Sequence, residues 1–248
     1  EGLTETPPRQ YQIEAFAEAL VRDLIVVIPT GGGKTLVAAL LLARMARLNR
    51  QRMGLFVVDR VPLVFQQGSC IALETGLRTC RLCGENKTRA TVRSISDGSF
   101  EVLVVTAGAL LEMLRKDELT LGQFATIVVD EAHHASGEHS FARLLELVCK
   151  LPASRRPRLL GLSASPFAAR TVSQALTRVR ELQQAFGGAA VFKPQVPPTE
   201  TSTEWVVVDT TPAQSAAVRC LSACIRAGAE TLQALGEGEL LAPDFGDA

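Results

Sequence analysis

The segment Leu24-Ile-Val-Val-Ile-Pro-Thr-Gly-Gly-Gly-Lys-Thr-Leu-Val-Ala-Ala39 combines a strand, a glycine-rich turn and the start of a helix. Residues 24–28 form a short apolar, β-branched run closed by Pro29, which is typical of a strand buried on both faces. Three consecutive glycines then remove every Cβ from a bend in which backbone N–H groups can converge on an anion. A helix that opens at Lys34 adds the positive end of its dipole. This order predicts a phosphate-binding loop.

The predicted loop places four residues before the lysine: Thr30, Gly31, Gly32 and Gly33. Lys34 would reach the β and γ phosphates of a nucleotide, and the Thr35 hydroxyl is placed to ligate Mg²⁺. The alternative is a glycine-rich turn that binds nothing. The nucleotide site is favoured because the strand, the glycines, the Lys-Thr pair and the apolar helix follow one another in the required order.

Composition restricts the possible classes of protein. The chain has 248 residues, 47% of them hydrophobic, so it can hold one large domain or one domain with part of another. Its formal net charge is zero, so any nucleic-acid binding must come from a local patch. The sequence has no apolar run of transmembrane length and no signal-peptide layout. We therefore expect an intracellular protein, cytoplasmic or nuclear, with no membrane partner.

The cysteines do not indicate a secreted protein. Six of them in a chain of this length do not form the pattern of a disulfide framework. Cys80-Arg-Leu-Cys83 has the spacing of a zinc knuckle, but no second pair or nearby histidine completes four ligands. We expect buried or partly buried thiols and no structural zinc.

Alternating strand and helix patterns predict an α/β domain with a mostly parallel central sheet flanked by helices. Further buried strands are predicted at residues 54–59, 101–106, 126–129 and 159–165, with helices at 10–21, 34–47 and 172–186 and a weaker strand and helix between 79 and 99. We divide the chain into a flexible lead-in (1–8), an α/β lobe (9–209) and a helical extension (210–248). Within these regions we expect a proline-rich linker at 193–203, a strand at 205–209, a helix from 211 to about 235 and a frayed tail from 236.

The segment Thr126-Ile-Val-Val-Asp-Glu-Ala-His-His134 is the second strong motif. Its β-branched residues predict a central strand with two carboxylates at the carboxyl end. Asp130 would hold Mg²⁺ through water, and Glu131 would orient and deprotonate the water that attacks the γ phosphate. An Asp-Glu pair on its own would usually be only solvated. The Gly-Lys-Thr motif about a hundred residues earlier favours a two-part nucleotide site. We expect the two parts on neighbouring strand tips, sharing one magnesium–triphosphate.

Polar residues near other strand ends are further candidates. Gln12 is placed to donate to and accept from an adenine edge, which would select ATP over GTP. Thr106 would bind a nucleic-acid phosphate or act as an ordinary helix N-cap. Ser163 and Ser165 would bridge the acidic motif to a ligand beyond it. Three residues after the second strand either contact nucleic-acid phosphate or sugar, or simply begin a core helix: Arg60, Gln66 and Gln67.

Together, these sequence segments resemble the ordered motifs in the first RecA-like lobe of superfamily-two helicases and translocases. The resemblance spans roughly residues 9–167 and is greatest to the helicase region of Dicer and Dicer-like ribonucleases. The related RNA sensors usually have Cys where Ala132 stands, so they rank second. The segments that carry it are Arg9-Gln-Tyr-Gln12, Pro29-Thr-Gly-Gly-Gly-Lys-Thr35, Val61-Pro-Leu-Val-Phe-Gln-Gln67, Thr106-Ala107, Asp130-Glu-Ala-His-His134 and Leu160-Gly-Leu-Ser-Ala-Ser-Pro166.

The resemblance implies a RecA-like fold that binds ATP and Mg²⁺ and acts on double-stranded RNA. It implies nucleotide binding by Arg9, Gln12 and the loop from Thr30 to Thr35. His133 would join Lys34 and the Asp130-Glu131 pair in catalysis, and the 163–165 segment would couple hydrolysis to RNA. A second RecA-like lobe would complete the ATP and RNA clefts. Nothing after residue 166 resembles that lobe, and the helix after 213 is similar in position to a helical insertion.

Two other functions fit the same motifs. A lobe that binds ATP with little turnover would serve as a nucleotide-gated clamp or scaffold for double-stranded RNA, as we expect of this chain alone. A DNA translocase of the restriction or repair type would share the nucleotide motifs. ATP turnover separates the enzyme from the clamp, and the 2′-hydroxyl separates RNA from DNA partners.

Overall fold

The computed structural model of the chain describes residues 7–164, 171–196, 211, 216–217 and 219–227. The chain divides into two compact units, residues 1–197 and 198–248, and the division falls in the proline-rich segment. In the second unit, residues 216–217 and 219–227 are helical, within the helix predicted from 211. Most of the predicted lead-in, the strand at 205–209 and the tail lie outside the described residues. The predicted domain boundary at residue 209 stays a prediction.

In the described residues, seven strands form one sheet: β1 (Leu24–Val27), β2 (Met53–Val58), β3 (Thr79–Leu82), β4 (Val102–Thr106), β5 (Phe124–Val129), β6 (Arg158–Ser163) and β7 (Ala190–Phe192). Their order is β3-β4-β2-β5-β6-β1-β7, and each pair of neighbours is parallel. All carboxyl ends therefore meet at one edge. The predicted α/β class with a parallel central sheet is confirmed.

The helices cover both faces of the sheet. Those of the described first unit are α1 (Gln10–Val21), α2 (Lys34–Leu48), α3 (Val61–Thr75), α4 (Arg89–Ser96), α5 (Ala107–Arg115), α6 (Ser140–Cys149) and α7 (Val172–Ala185). Helices α1, α2 and α3 pack on one face, and α4 to α7 contribute to the core on the other. Every residue of β1 is buried, because Leu24 and Val26 face one layer while Ile25 and Val27 face the other.

Two elements were not predicted from the sequence. The edge strand β7 has three half-buried residues, too few for a periodic pattern. Helix α6 follows the histidine-rich segment and buries Phe141 and Leu144 against the sheet. Among the described residues, no helix is both long enough and apolar enough to cross a membrane. The intracellular location stays a prediction.

Candidate nucleotide and nucleic-acid site

The loop between β1 and α2 is a tight bend that glycine alone fits at two positions. Gly33 is the N-cap of α2 and has a φ of 79°, in the left-handed region that favours glycine. A Cβ at Gly32 would lie 2.3 Å from Ile28 Cγ2, and one at Gly33 would lie 2.2 Å from Gln12 Nε2. Because Gly32 and Gly33 carry no side chains, the backbone N–H groups at the start of α2 are accessible to an anion.

Two buried side chains of helix α1 form hydrogen bonds to this loop. Tyr11 Oη donates to the carbonyl of Gly32 at 2.8 Å, and Gln12 Nε2 donates to the same oxygen at 3.0 Å. The other end of the Gln12 amide accepts from the backbone N–H of Arg9 at 2.7 Å. Arg9 also donates to the Tyr11 hydroxyl at 3.1 Å. One end of the Gln12 amide therefore holds the loop and the other end holds the start of α1. Adenine recognition by Arg9 and Gln12 stays a prediction.

The role of Tyr11 was missed from the sequence. Tyr11 is a buried residue of the helix predicted at 10–21, with an exposed fraction of 7%. A tyrosine hydroxyl that is buried normally finds a hydrogen-bond partner, which was the available signal. Its position beside Gln12 in the Arg-Gln-Tyr-Gln word points to the same loop.

Replacing Gly33 by Ala should destabilise the protein more than replacing Gly31 by Ala. Both glycines have a left-handed φ, so each variant bears a similar backbone penalty of about 1 kcal/mol. At Gly31 the added methyl meets no atom within 4 Å, whereas at Gly33 it displaces the Gln12 amide. We expect an additional loss of about 1 kcal/mol in the free energy of unfolding, measured by chemical denaturation. Equal losses would show that the Gln12 brace does not stabilise the loop.

The first two residues of α2 present the polar groups of the loop. Lys34 Nζ donates to the carbonyl of Ile28 at 3.2 Å, which keeps the ammonium beside the bend. Thr35 Oγ1 donates to Gln67 Oε1 at 3.1 Å. Thr30 is exposed in the turn. These positions agree with phosphate binding by the lysine and cation binding by the threonine hydroxyl.

The carboxyl end of β5 carries a buried carboxylate. Asp130 is 7% exposed, and burial is the main cause that raises its pKa to about 6. The charges of Glu131 and Asp59 also raise this pKa. The backbone N–H of Glu131 and the charge of Lys34 lower it. A cation beside this carboxylate would offset the unfavourable burial of its charge. A carboxylate and a hydroxyl supply the oxygen ligands that Mg²⁺ prefers. Asp130 and Thr35 therefore fit a magnesium site.

Glu131, the predicted base, has an unusual backbone. Its φ is 48°, in the left-handed region, and such strain in a residue other than glycine is typical of functional sites. His133 Nδ1 lies 3.2 Å from Glu131 Oε2 and 3.2 Å from Ser163 Oγ. Burial and, secondly, the nearby His134 lower the pKa of His133, which favours the neutral imidazole, while the Glu131 and Asp59 charges act in the opposite direction. His133 thus joins Glu131 to the end of β6. Ser165, the other predicted coupling residue, lies outside the described residues.

The expectation that the two motifs lie on neighbouring strands is wrong. Strand β6 lies between β1, which leads into the phosphate loop, and β5, which ends at Asp130. The motifs nevertheless meet, because Gln67 Nε2 donates to Asp130 Oδ2 at 3.4 Å while Gln67 Oε1 accepts from Thr35. The inserted strand brings Ser163 to the same edge, next to His133.

The predicted nucleic-acid residues have different surroundings. The Arg60 side chain is 80% exposed and pairs with Asp59 at 3.3 Å, and Gln66 is exposed on α3. Thr106 is the N-cap of α5, and its hydroxyl accepts from the Ala109 N–H at 3.4 Å, which was the alternative interpretation. Nucleic-acid contacts by these residues stay predictions.

Cys80 and Cys83 are buried free thiols, and burial raises the pKa of Cys80. In residues 7–164 and the other described ranges, no group of three or more His, Cys, Asp or Glu side chains could hold a metal ion.

Comparison with known proteins identifies the class that this fold and site define. The family model described as "DEAD/DEAH box helicase" matches residues 9–173. The chain belongs to this family, and the resemblance read from the motifs is confirmed. Domains of this family bind ATP.

The similar proteins include Dicer-like enzymes. The chain is 37% identical to "Dicer-like protein 1" of Neurospora crassa over 179 residues, which is 65% of this chain and 11% of that protein. It is 32% identical to "Endoribonuclease Dicer homolog 1" of Arabidopsis thaliana over 183 residues, 70% of this chain and 10% of that protein. The match thus spans about a tenth of the length of these relatives.

A solved structure supports the fold. The crystal structure of the Pyrococcus furiosus Hef helicase domain superposes with a TM-score of 0.66 at 22% identity, over 97% of this chain and 50% of that chain. At this identity the likeness concerns the fold alone, and it agrees with a RecA-like α/β domain.

Proposed function

We propose that the chain is the ATP-binding first lobe of a helicase or translocase that acts on double-stranded RNA, as the helicase part of a Dicer-like RNA-processing enzyme. One observation carries the nucleotide chemistry: Thr35 and Asp130, from two distant motifs, contact the same Gln67 side chain. The relatives named as Dicer proteins support the choice of RNA.

Each residue of the site has a defined task in ATP hydrolysis. Lys34 and the N–H groups at the start of α2 would hold the phosphates. Thr35 and Asp130 would hold Mg²⁺, which neutralises phosphate charge when it is bound. Glu131 would accept a proton from the attacking water, and His133 would link that carboxylate to Ser163.

The choice of nucleic acid is tested in a protein that carries both RecA-like lobes. Fluorescent double-stranded RNA and DNA of the same sequence are titrated, and binding and ATP turnover are measured together. We expect RNA to bind more tightly than DNA and to stimulate turnover, because a site that contacts the 2′-hydroxyl distinguishes the two. Equal or stronger stimulation by DNA would instead establish a translocase of the restriction or repair type.

For the 248-residue chain alone we propose ATP binding with little turnover. The supporting argument is chemical: in related phosphoryl transfer an arginine from a partner contributes about a thousandfold or more, and we place that arginine on the second lobe. Measured ATP affinity without measurable turnover would support this proposal and leave a clamp-like role open for the lobe. Brisk turnover by the chain alone would contradict it.

A further inference from the structure

Gln67 occupies a position that the nucleotide motifs do not explain. It lies in the second turn of α3, between the first turn of α2 and the end of β5. Its side-chain amide contacts Thr35 Oγ1 at 3.1 Å and Asp130 Oδ2 at 3.4 Å. One side chain from a third element thus spans the two residues that would ligate the cation.

Hydrogen-bond chemistry fixes the direction of both contacts. An ionised carboxylate only accepts, so the NH₂ side of the amide must face Asp130 and its carbonyl must face Thr35. The Thr35 hydroxyl therefore donates its hydrogen to Gln67 Oε1. A hydroxyl ligates a cation through its lone pairs, and this contact turns its hydrogen away and leaves the lone pairs available.

The same amide completes the orientation of the carboxylate. Asp130 Oδ1 accepts from the Glu131 N–H at 3.0 Å, and Asp130 Oδ2 accepts from Gln67 Nε2. Both oxygens are held, so the carboxylate plane is fixed relative to the hydroxyl. Hydrogen bonds of this kind to ligating side chains commonly tune metal affinity.

We propose that Gln67 is a positioning residue of the magnesium site, which sets the Thr35 hydroxyl and the Asp130 carboxylate for a shared cation. The inference rests on the proposed function, because it presumes that the site binds ATP with Mg²⁺. It gives Gln67 a task other than the nucleic-acid contact predicted from its position after the second strand.

The test measures the Mg²⁺ concentration that half-saturates the tightening of ATP binding in the full chain, using a fluorescent ATP analogue. Gln67→Ala removes the amide, and Gln67→Met removes both hydrogen bonds while keeping the length of the side chain. We expect both variants to need tenfold to a hundredfold more Mg²⁺, about the usual effect of losing such a contact. Their affinity for the analogue in EDTA should stay within twofold of the unchanged protein. Gln184→Ala, at an exposed position of α7, is the matched control and should behave as the unchanged protein.

The outcomes separate the inference from the proposed function. If the unchanged chain binds no ATP analogue, or binds it without regard to Mg²⁺, the proposed function fails. If the unchanged chain depends on Mg²⁺ and Gln67→Met keeps the same requirement, only the inference fails. Equal loss of affinity with and without Mg²⁺ would also overturn it, because the effect would then be on the phosphate loop and not on the cation ligands. Unfolding temperatures verify that each variant is folded.

Discussion

Replacing Glu131 by Gln is expected to lower RNA-stimulated ATP turnover about a hundredfold or more in a protein that carries both lobes. Gln has the same shape as Glu but cannot accept a proton from the attacking water, and the loss of a general base has an effect of this size. ATP affinity should change little, since the phosphates are assigned to Lys34 and the loop. Steady-state turnover and equilibrium binding of ATP are the two measurements.

Glu138→Gln is the matched control for this variant. Glu138 is exposed and lies seven residues further along the same segment, so the same loss of one negative charge occurs outside the site. The control should retain the turnover of the unchanged protein. If Glu131→Gln turns over ATP as fast as the control, Glu131 is not the base, and another group must take the proton.

The contiguous motifs were sufficient to predict the local structure of most of the candidate site. The phosphate loop, the strand that precedes it and the helix that follows are adjacent in sequence, so local spacing carried the information. The end of β5 was similarly predictable, because four β-branched residues precede Asp130 and Glu131. Their joint location at one sheet edge followed from the parallel topology alone.

The contacts between residues of different motifs were not predictable, because they depend on the order of the strands in the sheet and on the direction of each side chain. The order of the strands in the sequence does not indicate that β6 lies between β5 and β1 in the sheet. It is this position of β6 that brings Ser163 into contact with His133. Gln67 is adjacent to Gln66, yet Gln67 lies half-buried beside Thr35 and Asp130 while Gln66 is exposed. A helical turn of about 100° per residue separates their directions, and only the position of α3 against α2 decides which one faces the site.

Asp130→Asn is expected to change how stability depends on pH. Burial raises the pKa of Asp130 from about 3.8 when unfolded to about 6 when folded, so the folded protein binds this proton more tightly. The corresponding stabilisation is present below about pH 4 and is lost as the pH rises through 6. At about 1.4 kcal/mol per pKa unit the whole loss is about 3 kcal/mol, of which about 2 kcal/mol falls between pH 4 and 7. The Asn variant has no proton to lose here and should lack this part of the pH dependence.

The measurement is the free energy of unfolding of both proteins in EDTA across this pH range. Comparing the two cancels the other titrating groups, and the difference should change in favour of Asp130→Asn as the pH rises. Parallel profiles would show that the carboxylate is not held in an unfavourable setting. Mg²⁺ with ATP should restore the stability of the unchanged protein at pH 7 but not that of the variant, because only a carboxylate supplies the charge that stabilises the bound cation. The unfavourable burial of the Asp130 charge in the fold without an ion would then be released when Mg²⁺ binds.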